Sequence, residues 1–104
     1  MAENLKYLND NNFDEEIASG ITIVDFYADW CGPCRMMEPV MEELASSLEE
    51  VKVAKFDIES SQAKPAALGV TSIPTIIIFK DGNEEKRIVG VKDAEELKAL
   101  VAEL

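Results

Sequence analysis

Two cysteines, Cys31 and Cys34, stand three positions apart in the segment Trp30-Cys31-Gly32-Pro33-Cys34, and the chain contains no others. A thiol pair at this spacing has three chemical uses: a structural disulfide, half of a metal site, or reversible redox exchange. A disulfide closing four residues would stabilise by only about 1.9 kcal/mol in the chain-entropy picture, against about 3 kcal/mol for a fifteen-residue loop. A tetrahedral zinc site needs two further ligands. With no histidine and no third cysteine, only carboxylates or a second subunit would complete one. Redox exchange asks for less. The pair lies where an apolar, β-branched run ends and a helical pattern begins. In a first helical turn, an i, i+3 spacing puts both sulfurs on one side, near the roughly 4.4–6.8 Å Cα separation that a disulfide tolerates. Unpaired N–H groups and the positive end of the helix dipole favour a thiolate on Cys31. A free thiol is only about 3% ionised at pH 7, so lowering its pKa raises the reactive fraction directly. Pro33 suits such a turn, where its missing donor would have had no partner.

The absence of histidine also removes Cys-His and Ser-His pairs and the usual near-neutral proton carrier. Two other charged residues sit in unexpectedly apolar company. Asp25 shares one side of its strand with Ile21 and Ile23, and Lys55 shares one side with Val51 and Val53. A buried carboxylate is costly unless paired or protonated, and desolvation raises its pKa. The alternative for Asp25 is a solvated strand end, and for Lys55 a surface position. Pro74 taken alone reads as the start of an edge strand, since only about 5–6% of X-Pro bonds in folded proteins are cis. Met36, Met37 and Met41 read as core filling, and Glu42-Glu43 and Glu49-Glu50 as solvated faces.

The elements that position these residues follow from periodicity. Ile21 to Ala28 reads as a strand buried on both faces, with further strands over Val51 to Ile58 and Thr75 to Phe79 and a weaker one over Leu5 to Leu8. Asp81-Gly82 followed by Arg87 to Val89 suggests a hairpin. Met37, Val40, Met41, Leu44 and Leu48 form one apolar stripe on a helix of about fifteen residues, with Pro39 expected to kink it. Asp93 and Glu96 begin a last helix, whose stripe is Leu97, Leu100, Val101 and Leu104. Shorter helices are expected near Asn11 to Ser19 and Ser60 to Leu68. The order is β-α-β-α-β-α-β-β-α, an α/β fold with helices on both faces of a sheet.

The chain has 104 residues, about one domain, with no repeat, linker or low-complexity tract. Ten basic against twenty-one acidic residues give a net charge of −11, which disfavours nucleic acid and anionic membranes as partners. No apolar run is long enough to cross a membrane. The stretch Met1 to Asp10 has neither the basic start nor the apolar region of an export signal, so a cytoplasmic location is expected.

Trp30-Cys31-Gly32-Pro33-Cys34, preceded by Val24-Asp25-Phe26-Tyr27-Ala28-Asp29, resembles the active-site segment of the thioredoxin family. Ile73-Pro74-Thr75, Phe79-Lys80-Asp81-Gly82 and Val89-Gly90 match the family in order and spacing, and the likeness runs over essentially the whole chain. The resemblance implies a single domain over residues 1–104, with a five-stranded mixed sheet flanked by four helices. It implies a protein-disulfide reductase in which Cys31 attacks, Cys34 resolves, Asp25 moves a proton with Cys34, and Lys55 approaches Asp25 to moderate its charge. It further implies a cis-Pro74 against the cysteines. Trp30, Gly32, Pro33, Ile58, Ile73, Val89, Gly90 and Val91 would then line a target surface beside a reachable Cys31. The implied partners are disulfide-containing target proteins and a flavin-dependent thioredoxin reductase, the chain acting as a monomer with no bound cofactor. Departures from the family pattern are Tyr27 where tryptophan is frequent, Arg35 where lysine is common, and Ser72 where glycine often stands. Two other readings remain: a disulfide oxidant or isomerase, disfavoured by Gly32-Pro33, and a non-catalytic binding module built around Trp30.

Overall fold

A computed structural model describes residues 4–104; Met1 to Glu3, which begin the segment read as lacking an export signal, lie outside the described residues. Among the described residues the elements run β1 (Leu5–Leu8), α1 (Phe13–Ile17), β2 (Ile21–Tyr27), α2 (Gly32–Ser47), β3 (Val51–Asp57), α3 (Ala63–Leu68), β4 (Thr75–Lys80), β5 (Asn83–Val89) and α4 (Ala94–Ala102). The strands form one mixed sheet in the order β1-β3-β2-β4-β5. β1, β3 and β2 are parallel, β4 runs antiparallel to β2, and β5 antiparallel to β4. β2 is therefore paired on both edges, and Thr22 through Phe26 are all buried, which explains its nearly continuous apolar run.

Pleating divides the core in two. Ile23, Val53, Ile76 and Ile78 point to one face, where Met37, Met41 and Leu44 of α2 and Leu97 and Val101 of α4 cover them. Val24, Phe26, Phe56, Ile77 and Phe79 point to the other, against Phe13 and Ile17 of α1. By the same alternation Asp25 and Lys55 fall on the α2 face. The α2 stripe read from the sequence packs on this face, with Val40 and Leu48 only partly buried, but the reading of all three methionines as core filling needs one correction. Met36 is 63% exposed while Met37 is fully buried, because neighbouring helical positions lie about 100° apart and cannot both face the sheet.

Local chemistry fixes the element ends. Asp93 caps α4, its side chain accepting the Glu96 N–H at 2.9 Å. Asp10, reaching from the β1–α1 loop, accepts the Ala63 and Lys64 N–H groups at the start of α3. Ser60 and Ser61 are instead held in a turn by the Asp57 carbonyl, so α3 begins later than the sequence suggests. β5 begins earlier, at Asn83, because its charged residues face solvent on a sheet edge. Asp81 and Gly82 both have positive φ (50° and 86°), as a tight two-residue hairpin requires. α2 runs through Pro39 without a break.

Candidate active site

The segment after β2 turns directly into α2, with Cys31 in extended conformation as the N-cap and Pro33 in the first turn. An N-cap side chain accepts an N–H from the third helical residue. Here that acceptor is sulfur: the Cys34 N–H donates to Cys31 Sγ at 3.2 Å. The two cysteines are disulfide-bonded, with Cα atoms 5.2 Å apart. Both are buried in this oxidised form, Cys31 at 5% and Cys34 at 3% exposure. Cys31 is thus less open than the sequence suggests. What surrounds it is open, since Trp30 is 64% exposed and Gly32 and Pro33 face solvent.

Ala28 and the two cysteines form one buried cluster, and Tyr27, Ile58 and Ile73 pack against it. The Ile73–Pro74 bond is cis, and the Ile73 carbonyl lies 4.0 Å from Cys31 Sγ. Gly90, at φ 101°, donates its N–H to the Pro74 carbonyl at 2.9 Å, tying the end of β5 to the same loop. Val89 and Val91 are exposed beside it. Trp30, Gly32, Pro33, Ile73, Pro74 and Gly90 therefore come from three separated segments to the surroundings of one disulfide. Ser72 adjoins this loop, its carbonyl accepting from the Thr75 hydroxyl. Arg35 donates to the Asp29 carbonyl at 3.0 Å, bracing the turn from outside.

Asp25 is fully buried, and neither carboxylate oxygen has a hydrogen-bond partner. Burial pushes its carboxyl up to about 7; the Lys55 ammonium pulls the other way, and the Glu38 carboxylate adds to the rise. Lys55 is its register partner on β3 and is also buried. The Lys55 ammonium does not close onto Asp25 as an ion pair: it stands over the Tyr27 ring, 4.2 Å from the centroid, with the Tyr7 ring 5.9 Å away. A cleft of about 240 Å³ beside these groups is lined by Tyr27, Ala28, Asp29, Cys34, Arg35 and Glu38. It gives the second cysteine, not the first, a lining position. Among the described residues no cluster of three or more His, Cys, Asp or Glu could hold a metal ion.

The sequence model of the thioredoxin family, described simply as Thioredoxin, matches residues 4–103. This chain belongs to the thioredoxin family. It is 48% identical over 97 residues to the thioredoxin of Chlamydia pneumoniae, covering 93% of this chain and 95% of that one. It is 42% identical over 95 residues to the thioredoxin of Staphylococcus saprophyticus, with 90% and 91% covered. Among solved structures, a mutant thioredoxin from Halobacterium salinarum NRC-1 superposes with a TM-score of 0.89 at 37% identity, covering 99% of this chain and 93% of that one. The fold is the thioredoxin fold, a five-stranded mixed sheet with four helices. The family's activity is dithiol–disulfide exchange with disulfide-containing proteins, and this chain, with its redox cysteine pair, is a disulfide oxidoreductase.

Sequence reasoning missed two members of the site, Tyr7 and Glu38, and the role of a third, Tyr27. Tyr7 and Tyr27 flank Lys55 from neighbouring strands, a juxtaposition that only sheet order reveals. Glu38 drew no reading from the sequence, although its position one turn beyond Cys34 was the available signal.

Proposed function

We propose that the chain is a reducing dithiol carrier in which Cys31 is the attacking thiolate and Cys34 the resolving thiol. One observation carries this reading: Cys31 Sγ, and not Cys34 Sγ, is the atom capping α2 and accepting a helix N–H. A negative charge there gains both that bond and the positive end of the helix. In the reduced protein the Cys31 thiolate attacks one sulfur of a target disulfide. The target S–S bond breaks, a mixed disulfide forms, and the first target thiolate leaves and takes a proton from solvent. Cys34 gives its proton to the Asp25 carboxylate and attacks Cys31 Sγ. The second target thiolate leaves, and the Cys31–Cys34 bond holds the pair oxidised by two electrons.

A carboxyl poised near neutrality is suited to that proton transfer, and the nearby Lys55 cation limits the cost of the charged form. The exposed Trp30, Gly32 and Pro33, with Ile73, cis-Pro74 and Gly90, supply a flat surface for an extended target segment. A thioredoxin reductase returns the pair to the dithiol. In this reading the chain works as a monomer in the cytoplasm and as one domain. Among the described residues no helix is long and apolar enough to cross a membrane. The test is a pair of variants mixed with cell extract. Cys34→Ser accumulates mixed disulfides that reductant releases, while Cys31→Ser forms none and fails to reduce insulin. The opposite pattern would overturn the assignment.

A further inference from the structure

The position of one cation needs an explanation. Lys55 and Asp25 are directly paired in the β2–β3 register and both buried. The ammonium nevertheless takes no part in an ion pair among the described residues, and both Asp25 oxygens are left without partners. Its nitrogen lies instead over Tyr27, within the roughly 6 Å over which a ring face attracts a cation, with Tyr7 at the edge of that range on the far side. The two rings come from different strands. Tyr27 stands two residues beyond Asp25 on the same face of β2, and Tyr7 is the register partner of Lys55 on β1.

We propose that Tyr27, with Tyr7 behind it, is a positioning residue that holds the Lys55 ammonium off Asp25, and so sets the proton affinity of Asp25 and the pH at which Cys34 resolves the mixed disulfide. This rests on the reading of Asp25 as the proton acceptor of Cys34. The charges around the pair show why one side chain has such leverage. Asp25 feels Lys55 from β3 and Glu38 from α2, and Tyr27 is faced by Asp57 of β3, Asp29 of the following loop, Tyr7 of β1 and Asp25 itself. Lys55 is the one cation in that set. Moved onto Asp25 it would form a buried ion pair, and a neighbouring cation of that kind lowers a carboxyl pKa by about one to three units. Kept on the rings, it lowers Asp25 only in part. The Tyr27 phenol does not titrate in the working range, since burial and its acidic neighbours push it up to about 12. The ring face, not the hydroxyl, is therefore the operative group.

The experiment follows the Asp25 carboxyl by ¹³C NMR titration of the oxidised protein, and the pH profile of mixed-disulfide resolution in single turnovers. Tyr27→Leu is expected to lower the Asp25 pKa by about one unit or more, a tenfold change in proton affinity, and to shift the resolution profile equally toward acid. Tyr27→Phe, which keeps the ring, is expected to leave both in place. Adding Lys55→Met to Tyr27→Leu is expected to return the pKa to the wild-type value or above, as a pairwise coupling requires. In the wild-type protein alone, the Lys55 ε-methylene protons are expected upfield of an ordinary lysine through the ring current of Tyr27. The proposal fails if Tyr27→Leu leaves the pKa unchanged, if Tyr27→Phe lowers it as much, if the fall persists without Lys55, or if the ε protons resonate at ordinary positions. A pKa that moves while the resolution profile stays fixed upholds the clamp and removes Asp25 as the proton acceptor.

Discussion

Replacing Asp25 by alanine is expected to stabilise the oxidised protein above neutral pH, with the gain disappearing in acid. The folded carboxyl titrates at about 7 because burial disfavours its charge, whereas the exposed group in the unfolded chain has the ordinary value of 3.8. Between those values the folded protein holds a proton that the unfolded chain has lost. Stability from this group is therefore fully present below about 3.8, falls as pH rises toward 7, and is level beyond it. At 1.36 kcal/mol per pH unit, the gap comes to about 4 kcal/mol. The alanine variant lacks this term and loses on the order of 1 kcal/mol of packing at every pH. It is thus expected to be less stable than wild type by about 0.5 kcal/mol near pH 4 and more stable by about 3 kcal/mol at pH 8. Carboxyls held low, such as Glu16 by Lys52 and Glu84 by Arg87, give the opposite slope in acid. They are common to both proteins and cancel in the difference. The assay is urea unfolding of oxidised wild type and Asp25→Ala from pH 4 to 9. Parallel stability curves across pH 5 to 8 would refute the reasoning and give Asp25 an ordinary carboxyl.

Two further changes test the fold that holds the site. Asp93→Ala removes the cap whose oxygen accepts the Glu96 N–H, and urea unfolding is expected to show a loss of about 1 kcal/mol with insulin reduction unchanged. Phe13→Ala removes the ring standing edge-on to Phe56 and Phe79, at 5.8 and 5.5 Å. A loss of roughly 3–5 kcal/mol is expected in the same assay, and one under about 1 kcal/mol would mean that α1 does not anchor that face.

The cysteine pair was legible because all its determinants are local: the strand before it, the helical stripe after it, and a three-residue spacing set their positions together. Parity along a strand likewise put Asp25 and Lys55 on the face that α2 covers. Parity could not say where the Lys55 ammonium ends, since its acceptor rings arrive through the pairing of β1 and β2 on either side of β3. The Asp10 cap on α3 was hidden for the same reason, with its donors more than fifty residues away. Met36 failed differently. Residue type suggested core, whereas helical phase, already fixed by Met37 and Met41, sent it to solvent. The cis form of Pro74 came only through the family resemblance, because the residue alone favours a trans strand start.

The anion that α2 favours near neutral pH is predicted to be one sulfur, and only one. Its most direct measurement is the rate of alkylation of the fully reduced protein by iodoacetamide as a function of pH, with the modified residue identified by peptide mass. Cys31 is predicted to react first, with an apparent pKa well below the ordinary thiol value of about 8.5. Modification of Cys34 first, or of both at equal rates with an ordinary pKa, would contradict it.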